Sequence, residues 1–245
     1  MAPLSHLTVA SPAGILLLVV LFSGCGLSAT GTNMQGKQLF DQGQYAQAIE
    51  MFQRSINADP RNADGYYNMA AAYYYLGKQQ KNVAWSQQAD QLYRQALSLD
   101  PDHVDAYRGL SALLMDEGRT QEAFQLVQNW RVQQPDNPEP VIELARLYRE
   151  SGDSAAATQL LADALHIDGN HARALKAMGM MREESGEYDL ALQNYTRSYE
   201  ANNSQTDVAQ KIASLQGATR TAQNTTPPVQ TGQALPPGSN QFLPR

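Results

Sequence analysis

The sequence predicts an all-α protein built from repeated pairs of helices. Three residue types recur with a common spacing. Glycines lie 34, 41, 34 and 34 residues apart, alanines 41, 34, 34 and 34, and prolines 41 and 34. The three series are Gly43, Gly77, Gly118, Gly152 and Gly186; Ala48, Ala89, Ala123, Ala157 and Ala191; and Pro60, Pro101 and Pro135, with Gly169 in the next place. One period of 34 residues with a single seven-residue insertion explains all of them, and this period is typical of stacked helical hairpins.

Composition narrows the class of protein further. The chain has 245 residues, of which 42% are hydrophobic and 17% charged, a composition typical of a globular protein. A formal charge of −6 argues against a general nucleic-acid binder. The single cysteine, Cys25, excludes an internal disulfide framework and a cysteine-rich zinc site.

The first element is a predicted export signal. Residues 1–36 contain no Asp, Glu, Lys or Arg, and residues 15–22 form an unbroken apolar run. A helix needs roughly 20 apolar residues to cross a bilayer, so this run fits the hydrophobic region of a secretory signal instead.

The end of this segment, Phe22-Ser23-Gly24-Cys25, resembles the lipobox of bacterial lipoproteins. The resemblance implies a signal peptide over residues 1–24, cleavage before Cys25, and acyl chains such as palmitate on that cysteine. Gly26, in place of an aspartate, implies the outer membrane, facing the periplasm. The alternatives are an unlipidated secretory signal or a misplaced start codon. We expect residues 25–32 to form a short tether.

The repeats resemble the tetratricopeptide repeat (TPR), a pair of antiparallel helices. Repeat two carries the family pattern of large, small and aromatic positions most fully: Tyr66, Met69, Ala70 and Tyr73, then Ala89, Tyr93, Ala96 and Pro101. The resemblance implies a right-handed α-solenoid of about five helix pairs, in which each pair buries its neighbour. We expect the glycine of each repeat to end its first helix in a left-handed conformation.

The predicted repeats cover residues 29–62, 63–103, 104–137, 138–171 and 172–205. Val208, Ile212 and Leu215 share one helical face and predict a capping helix over 206–216. Residues 217–245 hold five of the twelve prolines and no acidic residue, which predicts a disordered tail.

Two features depart from the regular pattern. The insertion in repeat two, about residues 78–84, carries Trp85 past the usual edge of the stack, where it either packs on an equally lengthened first helix near Leu76 or contacts a partner. Trp130 occupies a position where a small residue normally allows close helix contact.

The residues needed for catalysis or metal binding are missing from the pattern. No two histidines are spaced i, i+4, and no phosphate loop or nucleophile elbow occurs. The acidic pairs Asp116-Glu117 and Glu183-Glu184 could act as acid and base, but solvated helix faces explain them better. The sequence therefore predicts a protein that is not an enzyme and has no cofactor and no metal.

The remaining functional feature is a surface. In TPR proteins the first helices line a concave groove, and their non-core positions meet the partner. Carried over to this chain, the groove residues are Tyr67, Asn68, Tyr74, Tyr75, Arg108, Met115, Ile142, Arg146, Arg149, Lys176 and Met180. The tyrosine rings could instead pack on the following repeat. The family's clamp for chaperone tails is absent, because Asn33, Lys37, Asp105 and Gly109 stand at its positions and only Asn68 agrees.

These observations predict a lipid-anchored scaffold of the bacterial envelope that binds a protein or peptide, without nucleic acid or metal. The array and the lipobox resemble lipoproteins that assist pilus secretins. The alternative is an accessory subunit or regulator of a cell-wall or polysaccharide enzyme.

Overall fold

The computed structural model describes residues 28–225, with side chains as far as Gly217. The predicted signal peptide, Cys25 and the residues after Thr225 lie outside this range. Within it the chain forms eleven α-helices and no strand, which confirms the predicted all-α solenoid. The helices are α1 Ala29–Asp41, α2 Tyr45–Ala58, α3 Ala63–Gln80, α4 Val83–Leu99, α5 Val104–Asp116, α6 Thr120–Gln133, α7 Pro138–Glu150, α8 Ser154–Ile167, α9 Ala172–Glu184, α10 Tyr188–Ala201 and α11 Thr206–Thr225.

The helices pair in chain order, α1 with α2 through α9 with α10, and each pair packs on the next. Neighbouring first helices of the repeats also contact each other, as α1 contacts α3 and α7 contacts α9. Within the described residues, no two second helices contact each other as extensively. The first helices therefore line the inner, concave side of the stack.

Glycine ends four of the first helices as predicted. Gly43, Gly118, Gly152 and Gly186 have φ between 73° and 89°, a conformation that costs glycine little because it has no Cβ. The expectation for Gly77 is wrong. It lies inside α3, which continues to Gln80, and Lys81 takes the left-handed conformation with φ 52°.

The insertion in repeat two lengthens both helices of that pair. Helix α3 has 18 residues and α4 has 17, against 13 or 14 in the other four pairs. Leu76 is buried and Trp85 is half-buried on this extension, so part of the Trp85 side chain packs on the protein and part faces solvent. The turn between the helices is short, because Asn82 accepts a hydrogen bond from the Ala84 amide and begins α4 at once.

The ends of the array differ from the prediction in length. The predicted tether overlaps α1, which begins at Ala29 because the Ser28 hydroxyl accepts a hydrogen bond from the Gly31 amide. The capping helix continues past residue 216 to Thr225. The added segment ends just before Pro227-Pro228, which disfavours helix in the residue preceding it.

The buried side chains form three clusters. The largest runs from repeat one to the start of repeat four, the second joins repeats four and five, and a small third one fixes α11 on α10 through Val208 and Leu215. Trp130 belongs to the first cluster. Its side chain is 1% exposed, and its ring stacks on that of Tyr107 with 4.2 Å between the ring centroids. The two stacked rings fill the space that the helices would close by approaching each other if residue 130 were small.

Candidate partner-binding groove

A hollow of about 450 Å³ opens on the concave side between repeats three and five. Its walls come from α5, α7 and α9, the first helices of these repeats, and from the junction of α10 with α11. We call it the basic hollow. Six predicted groove residues line it: Arg108, Ile142, Arg146, Arg149, Lys176 and Met180.

The floor of the basic hollow is apolar. Ile142 and Ala145 of α7 are buried, and Ala177 and Met180 of α9 are partly exposed beside them. Ala145 and Ala177 are small, so their side chains take up little of the hollow. A surface of this kind can accept an apolar side chain of moderate size.

The fully buried carboxylate of Glu143 lies behind this wall. Its Oε1 accepts hydrogen bonds from the Ser111 hydroxyl at 2.8 Å and from Arg146 Nε at 2.6 Å. Its Oε2 lies 3.8 Å from Arg173 Nη2 and has no hydrogen-bond partner among the described residues. The buried carboxylate thus holds Arg146 by a hydrogen bond and lies near a second guanidinium, that of Arg173, on the next first helix.

The two fixed arginines have shifted pKa values. Burial alone would lower the pKa of Arg146, but Glu143 and Glu150 raise it above its ordinary value. For Arg173 burial dominates and lowers the pKa, against the opposing effect of Glu139. Arginine remains charged at neutral pH in both cases, so the wall carries two positioned cations.

Three more cations stand at the rim. Arg108 Nη1 donates to Asp105 at 2.9 Å, Arg149 Nη1 reaches Glu184 at 3.5 Å, and Lys176 pairs with Asp207 of the capping helix. The carboxylates of these pairs are more than half exposed. Exposed pairs of this kind contribute little, because solvent competes with them.

The predicted position of Tyr74 is wrong. Its ring is only 9% exposed, and its hydroxyl donates to the Asp116 carboxylate on the next first helix. Lys78 Nζ donates to the same carboxylate at 2.5 Å. Burial and the bond to Asp116 raise the pKa of Tyr74 to about 12. Tyr74 therefore joins repeats two and three and offers little surface to a partner.

The other predicted residues of the amino-terminal half do not line the basic hollow. Tyr67 is half-buried, with its ring centroid 5.0 Å from that of His103, and the Asn68 amide donates to Asn33 at 3.0 Å. Tyr75 is 45% exposed and stacks on Tyr45. Met115 is half-buried against the largest cluster. Of the three successive tyrosines, Tyr75 is the exposed one.

Sequence reasoning missed Arg173, Asn202 and Gln205, which also line the basic hollow. The 34-residue spacing could have identified Arg173, because an opposite charge stands one repeat before it. Arg173 pairs with Glu139, which stands 34 residues earlier at the equivalent position of the preceding first helix. Opposite charges one repeat apart therefore predict a bond between neighbouring repeats.

The carboxylates that could have been an acid–base pair are bonded to neighbouring residues. Asp116 accepts from Tyr74 and Lys78, and Glu183 accepts from the Tyr195 hydroxyl at 2.7 Å. His103 and His171 each accept a helix-starting amide at Nδ1. In the described part of the chain, no group of His, Cys, Asp and Glu could hold a metal, and no helix is both long and apolar enough to span a bilayer.

Comparison with known families agrees with this architecture. A family model described as TPR repeat matches residues 36–77, and two described as tetratricopeptide repeat match residues 86–138 and 114–180. Together the matches cover more than half of the chain. The chain belongs to the tetratricopeptide repeat family.

Two solved structures share the fold with TM-scores above 0.5, and a third is less similar. The thermophilic TPR protein TTC0263 of Thermus thermophilus is 18% identical, with a TM-score of 0.56 over 77% of this chain and 98% of that chain. Yeast Tom70 is 18% identical, with a TM-score of 0.58 over 82% of this chain and 42% of that one. The pilF structure of Pseudomonas aeruginosa is 16% identical, with a TM-score of 0.49 over 81% and 93%. No curated protein matches significantly. At these identities the likeness shows the fold alone. The tetratricopeptide repeats themselves indicate a protein-interaction scaffold.

Proposed function

We propose that this TPR protein binds a partner protein, through an extended segment of it, in the basic hollow. The observation that supports this is the convergence of six predicted groove residues on one concave surface with an apolar floor. Arginine and methionine are enriched where proteins bind each other, and a shallow hollow rimmed by hydrogen-bond donors suits a peptide chain.

A photoreactive amino acid at Met180 tests this in cells. Met180 lines the hollow and is partly exposed, so a bound partner should crosslink there and be recovered as one discrete adduct. The matched control is the same amino acid at Gln125, an exposed position on the second helix α6. Crosslinks that form at Gln125 and are absent at Met180 would place the partner on the outer helices and contradict the proposal.

We propose further that the protein is lipid-anchored at Cys25 in the bacterial envelope. The support comes from the sequence, in which the apolar run 15–22 is followed by Ser23-Gly24-Cys25. Several acyl chains on one cysteine would anchor it stably, since a single chain binds only marginally. In membrane fractionation, Cys25→Ser should release the protein, whereas Ser23→Ala should leave it bound. Unchanged membrane association of Cys25→Ser would contradict lipidation.

We propose, more specifically, that the protein assists the assembly of a pilus secretin at the outer membrane. It is supported by the lipobox and by a repeat array of this length. Deletion of the gene should lower the amount of multimeric secretin in the outer membrane while leaving its monomer level unchanged. If wall or polysaccharide enzymes lose activity instead, the alternative of an accessory subunit is correct.

A further inference from the structure

The side chains that face the basic hollow carry charge of one sign. Five cations line it, from three successive first helices, and no carboxylate is among the described residues that line it: Arg108, Arg146, Arg149, Arg173 and Lys176 are the cations. This occurs in a chain with a formal charge of −6. The concentration of positive side chains on one concave surface is therefore a local feature.

The carboxylates that balance these cations lie behind them or at the rim. Glu143 is fully buried and does not line the hollow; it bonds Arg146, while Arg173 bonds Glu139 and lies 3.8 Å from Glu143. A guanidinium carries five N–H donors in a rigid fork. The described bonds of Arg173 use only part of its fork, so donors of a fixed cation remain for a ligand.

The rim pairs are weak enough to be exchanged. The contact between Arg149 and Glu184 is 3.5 Å long, and the Glu184 side chain is 53% exposed. The Asp105 partner of Arg108 is 55% exposed. The Asp207 partner of Lys176 is 60% exposed. A carboxylate delivered by a ligand would replace any of these three partners with little loss, and it would be desolvated against the floor, where charge-assisted hydrogen bonds are stronger.

The floor and the hollow's edge define what else the ligand contains. Met180 offers apolar contact between the cations, and the amides of Asn202 and Gln205 at the edge can bond a peptide backbone. This arrangement fits an extended segment in which acidic side chains flank an apolar one. The chain's own residues 217–245 contain no acidic residue and do not match it.

We propose that the ligand of the basic hollow is an acidic, extended segment of the partner protein, held by Arg149, Arg173 and Lys176. The inference rests on the proposed function and deepens it. The bonding set is distinct from the family's clamp for chaperone tails, whose positions here hold Asn33, Lys37 and Asp105 among others.

A displayed library of random peptides, selected on the full chain in detergent, tests the proposed chemistry. We expect the selected peptides to be enriched in Asp and Glu around an apolar residue. A synthetic peptide from this set should bind about tenfold more weakly for each glutamate replaced by glutamine, because each replacement removes one charge-assisted bond. The affinity should also fall with added salt.

Charge reversal in the hollow supplies the specificity test. Arg149→Glu combined with Lys176→Glu should weaken the glutamate peptide about a hundredfold and shift library selection toward Lys and Arg. Both changes are at the rim, and Arg54→Glu on the exposed side of α2 is the matched control that should bind like the original protein. Circular dichroism of each variant checks that the helices are intact.

Three outcomes would overturn the inference. The first is a set of selected peptides that is not enriched in Asp and Glu, and the second is equal binding of the glutamate and glutamine peptides. The third is a concentration-dependent dimer of this protein that Arg149→Glu combined with Lys176→Glu abolishes, because a second copy would then occupy the hollow. A Met180 crosslink to a partner, obtained together with any of these, would leave the proposed function standing and reject the acidic ligand alone.

Discussion

At the residue scale, the most consequential side chain is Glu143, because it is a fully buried charge. It accepts from Ser111 and Arg146 and lies beside Arg173, so three first helices meet at one carboxylate. Burying a charge is costly unless it is paired and hydrogen-bonded, and removing one partner leaves the others unpaired.

We predict that Glu143→Gln lowers the free energy of unfolding by about 3 kcal/mol, the low end for a broken buried pair, since Arg146 keeps Glu150. Urea denaturation followed by circular dichroism measures the change. The matched control, Glu150→Gln, removes the partly exposed partner and should cost less than about 1 kcal/mol. If the two variants lose the same free energy of unfolding, the buried contacts of Glu143 stabilise the protein no more than the exposed contact of Glu150.

Glu139 makes stability depend on pH. Burial would raise the pKa of this carboxyl, but the hydrogen bond from His171 and the charge of Arg173 outweigh it and hold the pKa below its ordinary value of 4.5. Since the pKa is lower in the folded state, the stabilisation is complete above pH 4.5 and is lost as pH falls through the folded value.

We expect the unfolding free energy of Glu139→Gln to fall less steeply below pH 4.5 than that of the original protein. Denaturation curves collected in pH steps from about 6 to about 3 measure this slope. Asp136→Asn, an exposed neighbour in the preceding turn, should leave the slope unchanged. A slope that Glu139→Gln does not alter would assign the acid sensitivity to other carboxyls.

At the element scale, the close approach of the two helices of a repeat depends on pairs of small and large residues. A Cβ on Gly179 would lie 2.8 Å from the Tyr195 ring, and one on Gly36 would lie 2.5 Å from the Phe52 ring. In repeat four the positions equivalent to Gly179 and Tyr195 hold Ala145 and Leu161, so a larger first residue faces a smaller second one. The repeats therefore vary in side-chain size while the helix spacing is kept.

We predict that Gly179→Ala lowers the unfolding free energy by about 1–3 kcal/mol through overpacking against Tyr195. The double variant Gly179→Ala with Tyr195→Leu copies the pair of repeat four and should recover part of this loss. Thermal melts of the single and double variants give the comparison. The comparison includes Tyr195→Leu alone, because that change also removes the hydrogen bond to Glu183. If Gly179→Ala costs as much in the Tyr195→Leu background as in the original protein, steric conflict is not the cause.

The sequence predicted the structure best at positions where the backbone conformation strongly favours one residue type. Gly118 and Gly152 end their helices as predicted because the left-handed conformation favours glycine. Gly77 was misassigned because the insertion adds helix on both sides of the turn and moves the left-handed residue to Lys81. Tyr74 was misassigned because its hydrogen bond to Asp116 depends on how neighbouring repeats are offset, which composition and period do not give.

At the scale of the whole molecule, the array is closed at its carboxyl end by α11. Val208 is fully buried against α10, and Lys211 Nζ donates to Glu183 at 2.7 Å. Terminal repeats lack a neighbour on one side, so a capping helix covers the apolar face that would otherwise meet water.

We predict that Val208→Asp detaches α11 and costs about 3 kcal/mol or more, because it removes a buried side chain and buries a charge. Hydrogen exchange should show lost protection in α11 and unchanged protection in α3–α5. Gln210→Asp, an exposed change on the same helix, should preserve protection throughout. Loss of protection along the entire chain would mean that the array unfolds as one unit.

The division of the buried side chains into separate clusters has a mechanical consequence. The first three repeats share one continuous cluster, whereas the buried apolar residues that line the basic hollow, Ile142, Ala145, Leu161 and Met181, belong to a second, smaller one. A buried polar group joins the repeats beside this division, because Glu143 of α7 accepts a hydrogen bond from Ser111 of α5. A strain set up in either cluster therefore reaches the other through this carboxylate as well as through the contacts of α6 with α7.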